Sequence, residues 1–276
     1  MHVLSRLFFF HVLCLMTLSS LAQWDTTQYR LRLWTDVPIL LGTAAATTAS
    51  SLAIGRQERL NERLVLSLQQ SDVNALDRRV FGVDFNESGE ARHRSDVMLG
   101  ASVLAPLLLP LDRKVRAHWQ PYLLLYAEGM LINTSVQSWT AIGAGRYRPI
   151  AYMSQATPDQ RTAAVNHNSF FSGHTSATAT ATFFMARVLD GVHPELGKKR
   201  WLLYAGALVP PALTGWWRMR AGKHFPTDVV TGLAFGSAVG ILVPMLHRTG
   251  KDARWSFLPF LMRQGCGLAM SVTWKG

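Results

Sequence analysis

Charge is missing from long stretches of this chain, and that gap constrains the fold more than any other feature. Residues 37–54, 97–111, 117–145, 162–186, 201–217 and 229–247 total 123 positions and hold one charged side chain, Glu128. The other 153 residues hold 44 charges, an ordinary surface density, and Lys and Arg outnumber Asp and Glu by 28 to 17. A disordered chain would not concentrate its apolar residues this way. A simple basic nucleic-acid binder would not withhold its +11 from nearly half its length.

A helix crosses a bilayer with about 20 mostly apolar residues, and about 17 to 25 are tolerated. Residues 119–141, 170–189, 201–217 and 229–246 satisfy this. Residues 37–54 are long enough but diluted by Thr43, Thr47, Thr48, Ser50 and Ser51, and 97–111 is short, with Pro106 and Pro110. A surface helix of a soluble bundle keeps a polar face, whereas 201–217 is apolar all round. Trp119, Trp139, Trp201, Trp216 and Trp217 fall near segment ends, where an aromatic belt sits at the membrane interface. The expected fold is an all-α integral membrane bundle of about six spans, with its site at the membrane interface.

Residues 1–22 have Arg6, an apolar run over 7–16 and small residues at 19–22, the three-part layout of a cleavable signal peptide. Its removal leaves Cys266 as the single cysteine, so no intrachain disulfide is expected. Residues 23–96 read as a lead, a weak first span and a polar segment whose middle, 60–76, has helical apolar spacing and is expected along the membrane surface. Residues 97–247 hold the core, and 248–276 form a tail with a strand expected over 267–274.

Three clusters sit at span mouths: Gly145-Arg146-Tyr147-Arg148-Pro149, Ser169-Phe170-Phe171-Ser172-Gly173-His174, and Arg218 to Asp228. Alternating spans put all three on one membrane face. Arg148 and Arg218 offer planar forks of donors suited to phosphate oxygens. Ser172 and Gly173 open a helix, whose N-terminus favours an anion, and a glycine there lets backbone approach it. Asp228 follows His224 by four residues, and Pro226 suits the first helical position, so Asp228 reaches back to the ring and leaves one nitrogen as nucleophile. His174 then serves as the acid that protonates the leaving oxygen. These parts describe phosphoryl transfer through a phosphohistidine, with no metal and no cofactor. No His, Cys, Asp cluster has zinc or iron spacing.

In these residues the chain resembles the type 2 phosphatidic acid phosphatase and vanadium haloperoxidase superfamily, in its membrane lipid-phosphatase branch. The family signature is Lys-x6-Arg-Pro, Pro-Ser-Gly-His and Ser-Arg-x5-His-x3-Asp; here Arg148-Pro149, Ser172-Gly173-His174 and Arg218-x5-His224-x3-Asp228 match it. The resemblance covers about 97–247. It implies His224 as nucleophile, Asp228 as its orienter, His174 as acid and then base, and Arg148 and Arg218 on the phosphate. The substrate it implies is a membrane lipid phosphate: phosphatidate, phosphatidylglycerol phosphate, a polyprenyl diphosphate or a lipid A phosphate. Nucleic acid is not expected as a partner, and the oligomeric state is left open.

Three positions depart from the signature: Ala141 stands for the Lys, Phe171 for the first Pro and Trp217 for the Ser. One lost charge-stabilising donor costs about 3–4 kcal/mol of transition-state stabilisation. Arg146 and Lys223 are the nearby substitutes, with Arg146 favoured. Two other readings stay open, a catalytically weak or dead lipid-phosphate binder or transporter, and a vanadate-dependent haloperoxidase. Glu128 inside a span demands a partner, either functional or an Arg beneath the site. His167 reads as a loop residue. Resemblance to membrane phosphatases implies a bacterial inner membrane protein with a periplasmic site, although a cleaved signal followed by six spans would place the clusters in the cytoplasm.

Overall fold

The computed structural model describes residues 29, 31, 33–82, 85–248, 255–262 and 265–272, so the signal-like segment 1–22 lies outside the described residues. Six long helices organise them: α1 (Leu33–Gly55), α2 (Ser88–Leu104), α3 (Trp119–Ala144), α4 (Gly173–Val192), α5 (Trp201–Arg220) and α6 (Pro226–Leu246). Each charge-poor stretch contributes one. In 97–111 the α-helix gives way to 3-10 turns over Ala105–Leu111, where Pro106 and Pro110 lack the N–H that would continue it.

By length and composition α1, α2 with its flanking turns, and α6 are able to cross a membrane. Four of the five polar residues that dilute α1, Thr43, Thr48, Ser50 and Ser51, donate their hydroxyls to carbonyls three or four residues back, whereas Thr47 Oγ1 is buried without a partner among the described residues. In α3, α4 and α5 the polar residues turn inward. Asn133, Ser135 and Ser138, Thr175, Ser176, Thr178 and Thr180, and Thr214 are all buried. Outward positions such as Val136, Leu208, Val209 and Leu213 are exposed. Mean hydropathy falls in these helices while their outer faces remain apolar, as an all-α membrane bundle requires. Trp119 and Trp139, both partly exposed, stand 20 residues apart on α3, about 30 Å along a helix and the thickness of the hydrocarbon core.

Helix α4 is central and packs on α2, α3, α5 and α6, whereas α1 packs on α3. The closest approach is between α4 and α6. A Cβ added at Gly232, Gly236 or Gly240 would lie 2.7, 2.1 or 2.6 Å from the carbonyl oxygen of Ser172, Ser176 or Thr180. Small residues four apart let two helix backbones nearly touch. Because His174 lies in the first turn of α4 and His224 two residues before α6, this contact sets the spacing of the two histidines.

The connections segregate by end. Residues 56–87, 145–172 and 221–225 share one end, tied by Leu60 N–H to Thr162 O at 2.8 Å and Ile150 N–H to Gly222 O at 3.0 Å. At the other end, Lys114 pairs with Glu195 at 2.6 Å and His193 with Asp112 at 2.7 Å. All three sequence clusters therefore do lie at one end.

Four local features depart from the sequence expectations. Segment 60–76 is no continuous surface helix: one helix spans Glu62–Ser67, and Leu60 and Val65 pack under Ala151, Tyr147 and Tyr152, so the segment covers the site loop. Helix α2 begins at Ser88, nine residues before the charge-free stretch, and carries Arg92 and Asp96 into the bundle end. Glu128 faces His247 at 3.8 Å rather than an Arg, and His247 also faces Asp36 at 3.2 Å. These three offer one potential metal-ligand atom each, all within 4.8 Å, from three helix segments that sequence spacing cannot relate. Lastly, two antiparallel strands, β1 (Trp255–Met262) and β2 (Gly265–Val272), follow α6, with β2 starting two residues before the expected strand.

Candidate active site

Five of the cluster residues line one cavity of about 680 Å³ at the connected end: Arg148, His174, Arg218, Ala221 and Lys223. Arg92 and Asp96 from α2 complete its polar wall, with Phe85, Leu99, Ile150 and Val165 among the apolar lining. The cavity lining is thus both basic and apolar.

Each basic group is held by the backbone around it. Arg148 precedes Pro149 in extended conformation, its main-chain N–H donates to Asn166 O at 3.0 Å, and its guanidinium donates to Asn168 O at 3.3 Å. Arg218 lies 5% exposed in the last turn of α5, its Nη1 reaching Asp96 Oδ1 at 3.4 Å and Ser95 Oγ at 3.5 Å. Among the described residues its buried Nε has no hydrogen-bond partner, an unfilled donor on a side chain that lines the cavity. Lys223 follows the left-handed Gly222 (φ 63°), which turns the chain from α5 toward α6. Burial, then the charges of Arg148 and Arg218, lowers Lys223 to about 8. Burial first and Arg218 second lower Arg148 to about 9. Cations crowded in this way gain from an anion among them.

His224 sits behind this wall, 2% exposed and outside the cavity lining. Its Nδ1 lies 2.7 Å from Ser169 O, and a carbonyl only accepts, so Nδ1 carries the hydrogen and Nε2 of the neutral ring keeps its lone pair. Burial, opposed by Asp228 and reinforced by Arg148 and Arg218, lowers His224 to about 3. The ring is neutral at physiological pH. Asp228 is fully buried in the first turn of α6, as Pro226 at the first helical position foretold. Its Oδ2 accepts from Ser169 Oγ at 2.6 Å and Phe225 N–H at 2.9 Å, and stands 3.7 Å from His224 Nδ1. His224 Nδ1–H therefore donates its direct hydrogen bond to Ser169 O, and Asp228 holds the surrounding loop.

Arg146, favoured as the substitute for the missing Lys, is committed elsewhere. It bridges Asp228 Oδ1 at 2.5 Å and Asp77 Oδ2 at 2.6 Å, and stacks 4.3 Å over Phe225. Burial would raise Asp77, but hydrogen bonds from Thr227 N–H, Arg146, Asn74 and the Thr227 hydroxyl outweigh it and hold the carboxyl below its ordinary range. Of the two substitutes, Lys223 is the one facing the cavity. Ala141 is 1% exposed on α3 and does not line it.

Ser172 caps α4. Its Oγ accepts from Thr175 N–H and contacts Thr175 Oγ1 at 2.9 Å, so the hydroxyl serves the helix end. Gly173 is hemmed in by Gln137, whose Oε1 would be 3.0 Å from an added Cβ. His174, half-buried, places Nε2 2.9 Å from Asp96 Oδ1. His167 packs its ring on Tyr147 and does not line the cavity. Sequence reasoning missed Arg92 and Asp96. The signal that could have found them was their spacing of four on the turns leading into 97–111, which puts both on one helix face.

Residues 122–251 match the family model described as the PAP2 superfamily. Decaprenylphosphoryl-5-phosphoribose phosphatases of two Mycobacterium tuberculosis strains are each 29% identical over 130 residues, covering 43% of this chain and 66% of theirs. The chain thus spans just under two thirds of the length of these relatives. Among solved structures, a transmembrane PAP2 type phosphatidylglycerolphosphate phosphatase from Bacillus subtilis matches with a TM-score of 0.43 and 21% identity, over 76% of this chain and 94% of its own. Residues 122–251, the stretch that carries all three clusters, are thus the part of the chain that is similar to the PAP2 superfamily.

Proposed function

We propose that this chain is a membrane phosphatase that hydrolyses a lipid phosphate monoester or diphosphate through a phosphohistidine on His224, without a metal ion. One observation carries the reading: a buried neutral imidazole with its Nδ1–H tied to Ser169 O lies within electrostatic reach of Arg148 and Arg218, which line the cavity together with the adjacent Lys223. The phosphate enters among these cations. Nε2 of His224 attacks phosphorus as the bond to the leaving oxygen breaks, and His174 gives that oxygen a proton. His174 then takes a proton from water as the water oxygen displaces His224, releasing inorganic phosphate. Positive side chains carry the charge neutralisation a metal would otherwise supply. Phe85, Leu99, Ile150 and Val165 offer the tail an apolar surface. The polyprenyl-linked substrate named for the mycobacterial relatives makes a prenyl lipid the first to assay. Release of phosphate from a reconstituted lipid panel, and its loss on replacing His224, tests the proposal.

Ala141 favours a second reading, a lipid-phosphate binder that does not turn over, which predicts retention of the lipid without phosphate release.

Lys223 assigns a pH limb. A lysine lowered to about 8 loses its charge as pH rises through that value. If it stands in for the missing signature Lys, kcat/KM should fall above about pH 8, and Lys223→Arg should move that fall upward by more than a unit. An unchanged alkaline limb in the arginine variant counts against the assignment. Lys223→Ala should cost about 10²–10³ in kcat/KM.

We also infer that the site is extracytoplasmic. The short connections at the opposite end carry Arg113, Lys114, Arg116, Lys198, Lys199 and Arg200, and short basic loops stay in the cytoplasm. In a background lacking Cys14 and Cys266, an impermeant maleimide added to intact cells should label Gln69→Cys and spare Lys198→Cys; the reverse pattern places the site inside.

A further inference from the structure

We propose that Asp96 is the positioning residue for His174: its carboxylate binds Nε2–H of the ring, so that His174 exchanges protons with substrate and water through Nδ1. This rests on the phosphatase reading and adds a residue outside the family signature and the matched segment.

An ionised carboxylate only accepts, so the 2.9 Å contact between Asp96 Oδ1 and His174 Nε2 places a hydrogen on Nε2. That nitrogen is then occupied, and Nδ1 is left for proton transfer. When Nδ1 also holds a proton, the ring is an imidazolium beside Arg218 and near Arg148, a costly gathering of positive charge. Among the described residues Asp96 is the one acidic side chain lining the cavity, and it also meets Arg218 Nη1 at 3.4 Å and Arg92 Nε at 3.8 Å. It supplies the negative charge the imidazolium needs and fixes the ring plane. Asp96 comes from α2 and His174 from the start of α4, helices that pack together, so the pair is built on two rigid elements. In the first step the Nδ1 proton passes to the leaving oxygen as the P–O bond breaks. In the second, Nδ1 takes a proton from water as the P–N bond to His224 breaks. The ring returns to its starting state and Asp96 keeps its charge throughout.

Leaving-group chemistry tests this. An alkyl phosphate such as phosphatidate needs a proton on its leaving oxygen, whereas p-nitrophenolate departs without one. In single turnovers with the purified full chain, Asp96→Asn should slow phosphoenzyme formation from phosphatidate at least about tenfold more than from p-nitrophenyl phosphate. Asp96→Glu should recover part of that difference. Equal losses on both substrates would mean that Asp96 only supports the fold. Faster turnover with tighter vanadate inhibition would mean that its carboxylate merely competes with phosphate for the cations; either result overturns the proposal. A wild-type chain that releases phosphate neither from p-nitrophenyl phosphate nor from any member of the lipid panel overturns the phosphatase reading along with it, while wild-type turnover combined with equal losses overturns the role of Asp96 alone.

Discussion

Alanine at His224 should abolish phosphate release from every lipid phosphate, by at least about 10³-fold in kcat, while the chain still inserts in the membrane. Removing a nucleophile leaves only binding and charge stabilisation, and residual rates in other nucleophilic enzymes fall by a comparable or larger factor. The substitution also leaves Ser169 O without its 2.7 Å donor and opens a small void, together a destabilisation of about 1–3 kcal/mol. Folding is therefore to be measured beside activity, by thermal unfolding in detergent. A folded His224→Ala that retains wild-type turnover would eliminate the phosphohistidine. His174→Ala gives the complementary result. With p-nitrophenyl phosphate the first step needs no acid, but breakdown of the phosphoenzyme lacks its base, so an acid-labile, alkali-stable phosphoryl adduct should accumulate. Absence of that adduct, with His174→Ala still turning over, would assign the second step to another base.

The parts of the site that were legible in the sequence are those set by local rules. Pro226 starts α6 and Asp228 falls in its first turn because a proline suits the first helical position. Ser172 opens α4 because a serine hydroxyl caps a free N–H. The convergence of Arg148, His174, Arg218 and Lys223 followed from counting alternations of charge-poor stretches, since each stretch became one helix. What the sequence hid are pairings between distant segments. Arg146 looked free for phosphate because Asp77, 69 residues away, gives no sign in sequence of turning toward it. The Ser169 carbonyl under His224 is a backbone group, which no motif names. Absence of charge starts this span at Val97, yet Arg92 and Asp96 lie on the same helix and line the cavity. The criterion that finds membrane spans thus discards charged residues in the last turns before a site, and those residues carry the chemistry. Glu128 shows the same limit: its partner His247 lies beyond the far end of another helix.

The other large effect should come from a position with no functional group. Gly236 of α6 faces the backbone of α4, and its added Cβ would sit 2.1 Å from Ser176 O and 2.8 Å from Ser176 C. Backbone atoms cannot rotate aside as a side-chain tip does, so Gly236→Ala must push the two helices apart or change their register. Overpacking of this kind costs about 1–3 kcal/mol in cores that yield, and more where rigid backbones meet. The functional cost is larger. Ser172 N–H donates to Asp228 O at 3.0 Å and Ser169 O holds His224, so separating α4 from α6 opens the joint that sets both histidines. A displacement of about 1 Å in a catalytic group costs about 10² in rate. Gly236→Ala should therefore lose about 100-fold or more in phosphate release and several degrees in thermal stability, with no ionisable group altered. Gly206→Ala on α5, where an added Cβ meets nothing within 4 Å, should behave as the wild type. The same change at two helical glycines then separates close approach from helix propensity, because alanine favours the helix at both. If Gly236→Ala is as active and as stable as Gly206→Ala, the α4–α6 contact does not set the distance between His174 and His224.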